Sequence, residues 1–138
     1  MSQIYLESSA VLTWLLGQAH ADEVQASVDA ADAVVTSTLT LAECERALVR
    51  AESVAGLTAR DSQKLRGLLQ RTQRGWMRMT VSEEILARAG GRFPVEPVRT
   101  LDAIHLATAL AFTKALPDLR LLSFDRRILE NATALGLG

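Results

Sequence analysis

An α/β fold with a mainly parallel central sheet flanked by helices is predicted by three features of the sequence. Short apolar or β-branched runs alternate with longer stretches of helical period, and turn residues punctuate the changes. At 138 residues with 49% hydrophobic content, the chain also has enough apolar material for one packed core. No internal repeat, low-complexity tract or linker interrupts the pattern, so residues 1–138 read as a single domain.

The first element is a strand over residues 3–6, followed by an apolar helix over 9–16 that stops at Gly17. A helix over 20–30 comes next, then a β-branched strand over 33–36 bounded by Asp32 on one side and Ser37 and Thr38 on the other. Leu41, Cys44, Leu48 and Val49 recur at helical spacing and define a helix over 40–52. Beyond Gly56 another helix runs over 59–72, with Leu65, Leu68 and Leu69 inward, and Gly75 marks its end. Met77, Met79 and Val81 alternate with Arg78 and Thr80, which predicts a half-exposed strand over 76–81 before a short helix over 82–89. Gly90, Gly91, Pro94 and Pro97 mark an irregular loop of about ten residues, a length often found framing sites. Thr100 is placed to cap a helix over 101–116, which Pro117 cannot continue. A strand over 120–124 and a helix over 126–135, stopped by Gly136, complete the chain.

Composition removes several classes of function. Aromatics at 4% argue against a base-binding module built on broad aromatic surfaces, and charged residues at 22% do not suit a disordered tail. The single cysteine, Cys44, excludes an internal disulfide framework and a multi-thiolate zinc site; it reads as a small buried apolar residue in a reducing, cytoplasmic protein. The apolar run over 10–16 is too short to span a bilayer, and no basic segment precedes it as in a secretory signal. Net charge is only -1, but it is unevenly distributed. Residues 1–59 carry eight acids and two bases, whereas 60–78 carry six bases (Arg60, Lys64, Arg66, Arg71, Arg74, Arg78) against Asp61 alone. That asymmetry permits a polyanion partner, and it equally describes a solvated helix face.

The topology locates the acids. Helices that cross over between parallel strands run antiparallel to them, so helix beginnings and strand ends share one edge, where open α/β sheets bind ligands. Glu7 ends the first strand and Asp125 follows the last; Asp102 lies in the first turn of the helix feeding that last strand, and Glu43 lies early in the helix after the second strand. If the first and last strands are neighbours at a switch point, Glu7 and Asp125 stand side by side with Asp102 and Glu43 flanking them. Four converging carboxylates repel unless a cation compensates, and oxygen ligands favour Mg²⁺ or Mn²⁺ over zinc.

Four segments around these residues resemble the PIN-domain ribonucleases, and within them the VapC-type toxins of bacterial toxin–antitoxin pairs. They are the opening Ile4-Tyr5-Leu6-Glu7-Ser8-Ser9-Ala10, the glutamate helix Leu41-Ala42-Glu43-Cys44-Glu45-Arg46-Ala47-Leu48, the signature Arg99-Thr100-Leu101-Asp102-Ala103-Ile104-His105-Leu106-Ala107-Thr108-Ala109, and the closing Leu121-Leu122-Ser123-Phe124-Asp125-Arg126-Arg127. The likeness spans nearly the whole chain in the right order. It implies a PIN-like three-layer sandwich and an Mg²⁺- or Mn²⁺-dependent endoribonuclease that cuts structured RNA such as tRNA or rRNA. It also implies a small VapB-like antitoxin, a homodimer and a toxin–antitoxin hetero-oligomer. Glu7, Glu43, Asp102 and Asp125 are then both the catalytic and the metal-binding residues. The family carries aspartate where this chain has Glu7, whose carboxylate sits on the order of 1 to 1.5 Å farther from the backbone, so slower cutting is expected.

Secondary candidates are Ser9, to orient the first acid or a metal-bound water, and Ser123, to do the same beside Asp125. Arg126 and Arg127, with Arg71 and Arg74 of the basic stretch, are candidates for holding RNA phosphates. His105 reads as a packing or hydrogen-bonding histidine rather than a general base, Glu45 as a solvent-side residue, and Trp14 as core or dimer surface. Two rivals remain at this level. One is a PIN-like module that binds RNA or a protein without cutting. The other, a phosphate-accepting receiver domain, needs a lysine at the end of a late strand, whereas Lys64 and Lys114 fall inside predicted helices.

Overall fold

The computed structural model describes residues 2–138. Its elements run β1 (Gln3–Leu6), α1 (Ser8–Leu15), α2 (Ala21–Ala30), β2 (Ala33–Ser37), α3 (Thr38–Val54), α4 (Ala59–Gln73), β3 (Met77–Met79), α5 (Glu83–Ala89), α6 (Thr100–Phe112), β4 (Leu119–Leu122) and α7 (Arg126–Ala134). The four strands form one parallel sheet in the order β3-β2-β1-β4. The chain builds outward from β1 to β3 and then returns to β1's other side, which makes the β1/β4 boundary a topological switch point.

The pleat of β1 divides the core. Ile4 and Leu6 face a layer where Ala10, Val11 and Leu15 of α1, Cys44 and Leu48 of α3 and Leu69 of α4 pack together. Tyr5, Val35 and Leu121 face the opposite layer, against Leu106, Ala109 and Phe112 of α6 and Ile128 and Ala132 of α7. This is the α/β/α sandwich expected of the sequence, and all four residues of β1 are buried because helices cover both faces. Each fully buried Leu or Ile contributes roughly 1.5–3 kcal/mol.

Several boundaries differ from the sequence reading for local reasons. β4 stops at Leu122 rather than 124, because the Glu7 N–H takes the Leu122 carbonyl and β1 has no residue beyond Leu6 to continue the ladder. β3 covers only Met77–Met79, since its partner β2 offers Val35, Thr36 and Ser37 before the chain turns into α3; Trp76 is buried in the α1/α3/α4 layer instead. α3 starts at Thr38, with the Ser37 hydroxyl accepting the Leu39 N–H. Thr100 is the first residue of α6 rather than its cap, and Arg99 holds the cap position. That helix ends at Phe112, where the Thr113 hydroxyl bonds back to the Leu110 carbonyl at 2.5 Å. His20 does not start a helix either; it sits at φ +73° ahead of α2.

The loop over residues 90–99 is tightly held. The Glu96 carboxylate accepts the Phe93 and Val98 N–H groups, and the buried Asn131 amide bonds both the N–H and the C=O of Val95. This staple delivers Arg99 to the sheet's carboxyl edge. The charge asymmetry is partly internal: Glu45, read from sequence as solvent-side, pairs with Arg66 of α4, and Glu52 accepts the Ser62 hydroxyl. Among the described residues no helix is long and apolar enough to cross a membrane.

Candidate active site

The four candidate acids all lie along the carboxyl edge of the sheet, and each is held by a different set of protein donors. Glu7 follows β1 directly and caps α1, accepting the Ser9 N–H at 3.1 Å. Its other oxygen accepts the Ser9 hydroxyl at 2.5 Å and the Ser123 hydroxyl at 2.6 Å, and the residue is only 5% exposed. Ser123 also accepts the Asp125 N–H at 3.0 Å, so one hydroxyl joins the end of β1 to the start of α7.

Glu43 reaches the edge from the second turn of α3. Its Oε1 accepts the Ser8 hydroxyl at 2.5 Å and lies 2.5 Å from His105 Nε2, which is also 3.1 Å from Ser8 Oγ. On the far side of the imidazole, Tyr5 Oη stands 2.8 Å from Nδ1. Burial, aided by the charges of Glu7 and Glu43, holds the Tyr5 phenol well above its ordinary range. The Glu43 carboxylate oxygen accepts the hydrogen on Nε2, while the protonated Tyr5 phenol meets Nδ1 on the other side of the ring. His105 is the fully buried hydrogen-bonding residue of this line, one turn along α6 from Asp102.

Asp102 and Asp125 share a cation. Arg99 Nε lies 3.3 Å from Asp102 Oδ2, and Arg99 Nη2 lies 3.6 Å from Asp125 Oδ2. The other Asp125 oxygen caps α7, accepting the Arg127 and Ile128 N–H groups. Hydrogen bonds and ion pairs thus connect Glu7 through Ser123 to Asp125, Arg99 and Asp102, with Glu43 joined to α6 through His105. Among the described residues, however, no three His, Cys, Asp or Glu side chains stand close enough to hold a metal ion as placed. The acids are neighbours linked through hydroxyls and a guanidinium, not a bare four-carboxylate cage.

The donor set nonetheless suits a hard divalent cation. It consists of carboxylate and hydroxyl oxygens, and the Arg99 guanidinium seated across Asp102 and Asp125 shows that this pair draws positive charge. Cys44 lies under Glu43 and supplies no ligand; burial, with Glu43's charge, pushes its thiol up to about 12.

The remaining candidates divide by edge. Arg126 and Arg127 are exposed at the start of α7 beside Asp125. Arg71 and Arg74 are exposed at the end of α4, just before β3 begins, which places them at the opposite edge of the sheet from the acids. Sequence reasoning passed over Ser8 and Arg99 and left His105 outside the site. The available signals were a serine directly after Glu7, and a base and an imidazole each one helical turn from Asp102.

A PIN domain family model matches residues 4–134. Over 137 residues the chain is 34% identical to Ribonuclease VapC46 of Mycobacterium tuberculosis, covering 99% of this chain and 95% of that protein. It is 33% identical over 136 residues to Ribonuclease VapC35 of the same species, covering 97% and 93%. Among solved structures, the sarcin-ricin loop cleaving toxin VapC20 of M. tuberculosis superimposes with a TM-score of 0.70 at 16% identity, over 98% of this chain and 96% of that one. A toxin–antitoxin complex from Klebsiella pneumoniae gives a TM-score of 0.62 at 16% identity, over 91% and 89%. At such identities the two structural likenesses speak for the fold.

Proposed function

The chain belongs to the PIN domain family, and on that premise we propose that it is the toxin of a toxin–antitoxin pair, a divalent-cation-dependent endoribonuclease that cuts structured RNA such as tRNA or rRNA. The observation that carries this reading is the Asp102–Arg99–Asp125 arrangement at the β1/β4 switch point, with Glu7 and Glu43 beside it. Its curated relatives are named ribonucleases, in agreement with that chemistry.

Asp102 and Asp125 would hold Mg²⁺ or Mn²⁺, with Glu43 and Glu7 completing the negative field. When bound, such a cation lowers the pKa of its water and neutralises charge on the scissile phosphate. The chain's own residues do the positioning. Tyr5, His105 and Ser8 fix the Glu43 carboxylate, Ser9 and Ser123 fix Glu7, and the α7 N–H groups fix Asp125. Arg126 and Arg127 would meet RNA phosphates next to Asp125, whereas Arg71 and Arg74 would be reached only by an RNA that wraps the sheet to its far edge. Exposed loops are the expected targets, because A-form duplex hides its base edges.

A cognate VapB-like antitoxin would block the edge. The seat that Arg99 already takes shows how a guanidinium satisfies Asp102 and Asp125, and an antitoxin arginine placed there would exclude cation and RNA together. A cytoplasmic homodimer carrying such antitoxins is the expected assembly. The engagement of Glu7 by three donors favours one second reading, a PIN fold that binds RNA or a partner without cutting. Mapping new 5′ ends in total RNA after inducing the protein decides between them: discrete new ends support the nuclease, and none supports the non-cutting module.

A further inference from the structure

We propose that Phe124, backed by His20, is a stacking platform for one unpaired nucleobase of the RNA; this deepens the nuclease reading and rests on it for the identity of the ligand. The chain has two tryptophans, one tyrosine and three phenylalanines. Of these Phe124 alone is exposed, at 40%, while Tyr5, Trp76, Phe93 and Phe112 are buried and Trp14 is half-buried. Phe124 stands between Ser123, which holds Glu7, and Asp125, which shares Arg99 with Asp102, so its exposed ring borders the candidate active site.

The ring is also held in place. The Phe124 N–H donates to Ser9 Oγ at 2.8 Å, which fixes its backbone to the start of α1. The His20 ring lies stacked on Phe124 with centroids 5.7 Å apart and planes 25° apart. His20 reaches it from a left-handed backbone at φ +73°, uncommon for a residue with a side chain, and its Nδ1 is anchored 3.0 Å from Glu23 Oε1. Phe124 is thus backed by an imidazole while 40% of the residue stays open to solvent. Arg126, which pairs with Glu130 at 3.2 Å, and Arg127 follow within three residues, so a base on the ring would have its phosphates near two guanidinium groups. A π-face beside such cations is a pairing by which single-stranded nucleic acid is held without base-pair readout.

The experiment uses the full chain, with EDTA present so that no cleavage intervenes, and compares an eight-nucleotide oligoadenylate with an abasic oligomer of equal length and charge. The native chain should bind the oligoadenylate about tenfold tighter than the abasic strand, the scale of one stacked base. In Phe124→Ala that preference should vanish while abasic affinity stays, and Phe124→Trp should restore it, with tryptophan emission quenched by the oligoadenylate alone. Preference unchanged in Phe124→Ala would overturn the platform and leave a packing contact. Loss confined to binding of a coexpressed antitoxin would overturn it in favour of a protein-docking surface. Should the platform behave as described while no RNA is ever cut, the nuclease reading falls and the platform stands; no measurable binding of either strand overturns both.

Discussion

Replacing Arg99 with glutamine should tighten the binding of a divalent cation, although it removes a residue from the heart of the site. Arg99 is paired with both Asp102 and Asp125, at 3.3 and 3.6 Å, so a cation that takes these carboxylates must first displace the guanidinium. At such distances the Coulomb attraction is about 1 kcal/mol per pair in water and several times that at a partly buried site. The Arg99 side chain is 70% exposed, however, and exposed pairs deliver about 0.2 to 1 kcal/mol after screening and side-chain entropy. Taking the two pairs together at about 1 kcal/mol, removal of the competitor should tighten Mn²⁺ binding about fivefold. The metal-free protein loses the same contacts, and its Tm should fall by about 4 °C. Calorimetric titration of Mn²⁺ into the native chain and Arg99→Gln, at low and high salt, measures the first effect, which should shrink as ionic strength rises. Weaker or unchanged Mn²⁺ affinity in Arg99→Gln would refute the competition and make Arg99 a supporting group instead.

Other outcomes follow from the same geometry. Glu7→Asp should cut RNA faster than the native chain under single-turnover conditions, because a misplacement of about 1 Å can cost roughly 10²-fold in rate; equal rates would mean the longer arm is accommodated. Asn131→Ala should cost about 1 to 2 kcal/mol by releasing both backbone groups of Val95 and freeing the loop that carries Arg99; a denaturant midpoint equal to that of the native chain would count against the staple. Cys44 is fully buried with its thiol pushed up to about 12, so Ellman's reagent at pH 8 should react with it only after denaturation. Rapid labelling of the folded protein would show that the α1/α3 layer opens.

How much of this was legible in the sequence depends on the range over which each feature is determined. The strand at Gln3–Leu6, the helical spacing of Leu41, Cys44 and Leu48, and the Gly17 and Gly136 stops are local signals, and they sufficed for the architecture and for placing four acids on one edge. Element ends were less legible where a partner elsewhere sets them, as with β4, which stops because β1 does. The details of the site were hidden for the same reason. Ser8 reaches Glu43 across 35 positions, His105 reaches it across 62, and Arg99 spans from Asp102 to Asp125. Each residue looks ordinary in its own segment, and only the packed sheet decides which faces meet. Arg71 and Arg74 illustrate the converse: a basic run is visible in the sequence, but which edge of the sheet it occupies is a property of topology.

That a cation held at the Asp102–Asp125 edge supports RNA cleavage is tested by measuring binding and cutting in the same pair of proteins. Mn²⁺ affinity and single-turnover cleavage of a hairpin RNA should be determined for the native chain and for Asp102→Asn, which keeps the side chain's shape and removes its charge. Cleavage by the native chain should require Mn²⁺ or Mg²⁺ and cease in EDTA, and in Asp102→Asn both cation affinity and rate should drop, the rate by roughly 10²-fold or more. Undiminished cleavage by Asp102→Asn, or by the native chain in EDTA, would contradict the claim.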